Sequence, residues 1–87
     1  MLDEFRFVKK STYRTKVVKS LAESPKTSTQ IADETKINRN NIYYILKQLK
    51  DHNIVQCINP EVRKGKLYKL TDLGEEIISY INFNFVN

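Results

Sequence analysis

Between Asn38 and Lys50 the chain reads NRNNIYYILKQLK, which gathers an arginine, three asparagines, two adjacent tyrosines and two lysines into one short stretch. Arginine offers a planar fork of donors, asparagine a donor beside an acceptor, and tyrosine an apolar ring with a hydroxyl tip. Such groups recognise the edge of another molecule by hydrogen bonds; they do not transform it. A second set, Arg63, Lys64 and Lys66 around Gly65, offers cations to an anion. Catalysis is set aside. With one histidine (His52), one cysteine (Cys57), two glycines and no phosphate-cradling loop, the chain offers no pair of nucleophile and base, so no catalytic residue, cofactor or metal ligand is assigned.

The elements that must hold these residues follow from length, charge and periodicity. The chain has 87 residues, 40% of them hydrophobic and 29% charged, which suits one folded domain over 1–87 with a slight core that a partner subunit would help. No apolar run is long enough for a bilayer, and the mixed charges of MLDEFRFVKK do not form a secretion signal, so a soluble, cytoplasmic protein is expected. Lys36 to Lys69 contains eight bases against two acids and so holds more than the whole net charge of +5. That concentration is the footprint of a surface that meets phosphates; a solvated basic face is the plainer alternative.

Ser11 is placed to cap a first helix running to about Glu23, with Tyr13, Val17 and Leu21 recurring every fourth residue and Val18 beside them. Pro25 ends that helix, and a short extended piece follows around Lys26. Thr27 and Gln30 form a capping box for a short second helix whose inner face is Ile31 and Ala32. Asn38 caps a third helix, about 39–51, in which Ile42, Ile45, Leu46 and Leu49 make one apolar face. At about 100° per residue, Asn40, Tyr44 and Lys47 then point most directly away from that face, with Tyr43 on one flank. Asn53 closes the helix in left-handed geometry. IVQCI and KLYKL flank a loop with Pro60 and Gly65, an antiparallel hairpin with a basic tip; Val55, Cys57, Tyr68 and Leu70 can face the core. Thr71 caps a last helix carrying Leu73, Ile77, Ile78 and Ile81. Phe5, Phe7 and Val8 at one end, and Phe83, Phe85 and Val86 at the other, exceed what so small a core requires.

This order (helix, short strand, helix, helix, hairpin, helix) is mainly α with a small β-hairpin, and it resembles the winged helix-turn-helix domain. QIADETKINRNNIYYILKQL resembles the helix-turn-helix signature, with Ala32 at the crossing of two helices and Ile37 in the turn. The segment that follows resembles the wing of archaeal and bacterial regulators of the MarR and ArsR groups, where a hairpin runs into Leu-Thr-x-x-Gly, here Leu70, Thr71 and Gly74. The resemblance covers about Ser11 to Ile81. Lys36 and Asn53 stand where glycine is common, so Lys36 either avoids positive φ or tolerates it at modest strain. With a single cysteine, a thiolate metal sensor of the ArsR type is disfavoured.

The resemblance implies a sequence-specific regulator of transcription that binds double-stranded DNA as a homodimer through its terminal segments, associated with the nucleoid. Helix 39–51 would enter the major groove. Arg39, Asn40, Asn41, Tyr43 and Tyr44 would lie toward the bases and Lys47 toward the backbone. The basic wing, 59–66, would bring Arg63, Lys64 and Lys66 to the backbone or an adjacent minor groove, and Thr27 and Ser28 would offer amides and hydroxyls to a phosphate. Helix-start polarity is the plainer account of Arg39, Asn40 and Asn41, and core extension that of Tyr43. Cys57 reads as a small buried hydrophobe, with a redox thiol as the alternative, and His52 as a partner of its own helix end. An alternative function is a winged-helix subunit for protein association without DNA specificity of its own. RNA binding is disfavoured because the tyrosines lie on a helix and not on an open sheet.

Overall fold

The computed structural model describes residues 2–86, with side chains through Phe83. Its elements in chain order are α1 (Leu2–Lys9), α2 (Thr12–Glu23), β1 (Lys26–Thr27), α3 (Ser28–Thr35), α4 (Arg39–Asp51), β2 (Val55–Cys57), β3 (Leu67–Leu70) and α5 (Asp72–Val86). The first helix was not expected. Asp3 and Glu4 in its first turn and Arg6 in its last complement the helix dipole. Its terminal carbonyls, which no intrahelical amide reaches, accept hydrogen bonds from α2: Arg14 Nε donates to Phe7 O at 2.7 Å and Thr15 Oγ1 to Val8 O at 2.9 Å. Val8 is fully buried, and Phe5 and Phe7 pack against the core. The terminal apolar groups therefore serve this chain's own core first. Leu2, Tyr80 and Phe83 stay exposed, and Phe85 and Val86 fall outside the described side chains.

The caps read from the sequence form as expected. Ser11 accepts from the Arg14 amide, Thr27 and Gln30 exchange both bonds of the capping box, and Asn38 accepts from the Asn40 amide at 2.8 Å. In α2 the apolar seam is Val17, Val18 and Leu21. Tyr13 is 47% exposed and stands outside it, so the every-fourth-residue stripe begins one turn later than expected.

Between α3 and α4, Lys36 adopts the left-handed conformation, φ 63°, and its amide returns to Ala32 O at 2.8 Å. Ile37, which follows, is buried, and burying it offsets the strain of a side chain in that region. At the far end of α4, Asn53 has φ 60°; its amide meets Lys50 O and the Ile54 amide meets Leu49 O, a two-bond closure of the helix C-terminus. The hairpin gains a third strand. β3 pairs antiparallel with β2 (Val55↔Leu70, Cys57↔Tyr68) and, on its other edge, with β1 (Lys26↔Tyr68, Thr27↔Leu67).

The passage from sheet to α5 explains the Leu-Thr-x-x-Gly run. Leu70 is buried, and the Thr71 hydroxyl donates to Asn53 O at 2.7 Å and accepts from the Gly74 amide at 3.1 Å. Gly74 lies so close to β2 that a Cβ there would overlap the Ile54 carbonyl oxygen and sit 3.0 Å from Leu70 Cβ. Gly74→Ala should therefore cost about 1–3 kcal/mol of unfolding free energy, the range for overpacking. Urea melts check this, and an unchanged midpoint would contradict the contact.

Ser20 is the one buried polar side chain among the described residues. Its hydroxyl donates to Glu34, and Lys26 Nζ reaches both Glu34 at 3.2 Å and Glu23 at 3.5 Å, tying α2 to α3 behind the sheet. The Ser20 hydrogen bond, and after it Lys26, hold the Glu34 carboxyl below its usual 4.5. A depressed carboxylate contributes stability that is present above the ordinary value and is lost as pH falls through the folded one. The stability difference between the unsubstituted protein and Glu34→Gln should thus shrink on acidification below about pH 4.5. A difference that is constant from pH 7 to pH 3 would contradict it.

Candidate nucleic-acid interface

The apolar edge of α4 is buried at all four expected positions: Ile42 and Leu49 at 0%, Leu46 at 2% and Ile45 at 5% exposure. That fixes the rotation of the helix, and the remaining residues face outward in two adjacent stripes. Arg39, Tyr43, Lys47 and Lys50 recur at i, i+4, i+8 and i+11, and Asn40 and Tyr44 stand about 100° further round. Tyr43 is 70% exposed and Tyr44 62%, so neither extends the core.

The first stripe forms one wall of a groove whose other wall is the loop between β2 and β3. Arg39, Lys47 and Lys50 come from the helix, Arg63, Lys64 and Lys66 from the loop, and Ser28 and Thr29 from the start of α3. No acid is among these lining residues. Like charges converge here at the cost of mutual repulsion, and a polyanion in the groove would relieve it. Lys47 also has Asp51 at 3.6 Å, an exposed pair worth a few tenths of a kcal/mol. The Arg39 guanidinium is aimed rather than free: its Nη2 donates to Thr29 Oγ1 at 2.9 Å.

Of the residues expected from the sequence, Ser28, Arg39, Tyr43, Lys47, Arg63, Lys64 and Lys66 come together in this groove. Asn40, Asn41 and Tyr44 are exposed but point elsewhere on α4. Thr27 stands outside this lining: its amide donates to Gln30 Oε1 at 2.8 Å and its hydroxyl accepts from the Gln30 amide at 3.2 Å, which leaves the hydroxyl's own hydrogen as its donor. Thr29, Lys50 and Tyr68 were missed. Lys50 continues the helical stripe and was legible there. Tyr68 packs against the core as expected and is half-buried, but it also lines the groove; burial, then the charges of Cys57 and Tyr43, push its phenol up.

The loop is held by a residue the sequence did not mark. Asn59 Oδ1 accepts from the Leu67 amide at 2.7 Å while its Nδ2 donates to Gly65 O at 3.3 Å, so one carboxamide latches both arms. Gly65 has φ 73°, a left-handed turn that suits glycine. Cys57, half-buried at the base, approaches Asn59 Oδ1 at 3.7 Å. Asn59→Ala should raise amide exchange at Leu67 about fivefold, as for one lost hydrogen bond of ~1 kcal/mol, and leave global melting nearly in place. Exchange unchanged at Leu67 would contradict the latch.

Residues 12–56, from the start of α2 into β2, match the family model described as bacterial regulatory protein, arsR family. The chain belongs to this family, one of DNA-binding transcription regulators and not of enzymes. No curated protein matches it by sequence. Among solved structures it is similar to a MarR family transcription regulator (24% identity, 87% of this chain and 52% of that one, TM-score 0.79). It is also similar to a MarR family regulator from Neisseria meningitidis (18%, 85% and 54%, TM-score 0.77). A third likeness is to a homodimeric winged helix-turn-helix DNA-binding domain from Mycobacterium bovis (15%, 98% and 81%, TM-score 0.76). These likenesses establish the winged helix-turn-helix fold, with α3 and α4 as its helix pair and the β2–β3 loop as its wing. The chain spans about half the length of the two MarR structures. Among the described residues no helix is long and apolar enough to cross a membrane.

Proposed function

We propose that this chain binds double-stranded DNA as a homodimer and regulates transcription, with α4 in the major groove and the wing on the backbone or an adjacent minor groove. The observation that carries the reading is the cation-lined groove between the outward face of α4 and the wing. Phosphates running along that groove would meet Arg39, Lys47 and Lys50 on one side and Arg63, Lys64 and Lys66 on the other. Asn40 and Tyr44, the outermost side chains of the helix, are then free to reach base edges. Asparagine pairs with the donor and acceptor of adenine, and a tyrosine ring packs on a thymine methyl. Asn41 and Tyr43 flank that line, and Ser28 stands beside Thr29 at the groove's far end.

The dimer reading draws on Leu2, Tyr80 and Phe83, large apolar side chains left exposed on α1 and α5. A two-fold dimer would take a pseudo-palindrome with half-sites ~10 bp or a multiple of it apart. The whole chain, 1–87, would act as one such domain in the cytoplasm, in association with the nucleoid. The protein-association alternative gives no particular reason for six cations and no acid to line one groove.

Arg63→Ala combined with Lys64→Ala should weaken binding to random and specific duplexes alike. It should also lower the slope of log affinity against log salt by about two, one per lost phosphate contact, in electrophoretic shifts across a salt series. Loss of sequence preference with an unchanged slope would contradict the positioning role of the wing. Absence of any shift by the unsubstituted protein at low salt would sink the DNA-binding reading itself.

A further inference from the structure

His52 is the sole histidine and the residue that ends α4, where its backbone amide returns to Gln48 O and Lys50 O. The sequence assigned its side chain to its own helix end; the structure gives the ring a partner on another helix. It stacks on Phe7 of α1, with centroids 3.9 Å apart and planes 13° from parallel. Arg14 of α2 lies over the same Phe7 ring, 3.8 Å from its centroid, and holds the Phe7 carbonyl as well. Phe5, two residues earlier, meets Tyr80 of α5 edge to face, with centroids 6.1 Å apart and planes at 66°.

Residues two apart on a helix lie about 200° apart around its axis, so Phe5 and Phe7 face opposite sides of α1. One side of α1 therefore touches α5, which carries exposed Tyr80 and Phe83, and the other touches the residue that caps the C-terminus of α4. His52 is itself exposed, and Asn53 after it is already left-handed. Leu49 and Ile54 on either side of this end are fully buried, and the Phe7 stack adds the contact that joins it to α1.

We propose that Phe7 and His52 are positioning residues for DNA recognition: their stack transmits the setting of α1, and with it the subunit interface, to the end of α4, and so fixes the half-site spacing that a dimer accepts. This rests on α4 being the recognition helix and on the terminal helices forming the dimer. Half-site spacing is a geometric property of the two recognition helices, and a small swing of each α4 about its buried edge alters it without touching the residues that face the bases. Arg14, seated on the same ring and on the α1 carbonyl, keeps Phe7 in place from α2.

The test compares His52→Ala, which removes the stack, with His52→Phe, which keeps an aromatic ring and drops the imidazole. In the free protein, amide exchange at residues 5–8 and 49–52 should rise about tenfold in His52→Ala and remain near the unsubstituted level in His52→Phe. On palindromic duplexes whose half-sites are moved apart one base pair at a time, the unsubstituted protein and His52→Phe should prefer one spacing. His52→Ala should discriminate at least about fivefold less between spacings, with its half-site sequence preference and its dimeric mass in sedimentation unchanged. His52→Phe behaving like His52→Ala would overturn the inference, as would a normal spacing profile or normal exchange in His52→Ala. Failure of the unsubstituted protein to bind any duplex at low salt would overturn the DNA-binding reading and this role with it. Normal binding with an unaltered spacing profile in His52→Ala overturns this role alone.

Discussion

The structure depends first on the burial of one edge of α4. Ile42, Ile45, Leu46 and Leu49 leave water together, each side chain contributing about 1.5–3 kcal/mol of transfer free energy, and they do so only at one rotation of the helix. Everything outward follows from that rotation. Arg39, Tyr43, Lys47 and Lys50 turn toward the wing, and Asn40 and Tyr44 turn straight out. A rotation by one residue, about 100°, would bury Tyr43 and expose Ile42, which the core forbids.

The rest of the fold holds that edge in place. Ala32 and Ile31 on α3 and the Val17, Val18 and Leu21 seam on α2 provide the surface it packs against, and the Lys36 turn sets the angle between α3 and α4. Left-handed geometry at Lys36 is strained for a side chain that gains nothing from it locally; the buried Ile37 and the amide bond to Ala32 O hold it there. At the other end, Asn53 closes α4 and passes the chain to β2, while Thr71 and Gly74 fasten α5 to the same turn. α4, β2 and the start of α5 thus meet within a few residues of Asn53 and Ile54.

Much of this was legible in the sequence because its causes are local. The caps at Ser11, Thr27 and Asn38, the left-handed Asn53, the buried face of α4 and the basic hairpin each follow from residues a few positions apart. What escaped was set by contacts distant in sequence. α1 is completed by Arg14 and Thr15 of the next helix, and its eight residues carry little signal by themselves. The pairing of β1 with β3 and the stack of His52 on Phe7 join segments some forty residues apart. Tyr13 misled because spacing by four suits a surface stripe as well as a buried one. Asn59 carries no mark in the sequence, although its carboxamide closes the wing.

In the proposed function α4, fixed by its buried edge, presents Asn40 and Tyr44 to base pairs. The most direct measurement is selection of bound sites from a pool of random duplexes by the unsubstituted protein and by Asn40→Ala. The former should select a pseudo-palindromic site. The latter should select the same site with preference relaxed at one position per half-site, a loss of about 1–3 kcal/mol of discrimination there. Recovery of no common site, or an identical preference at every position in Asn40→Ala, would contradict this role of α4.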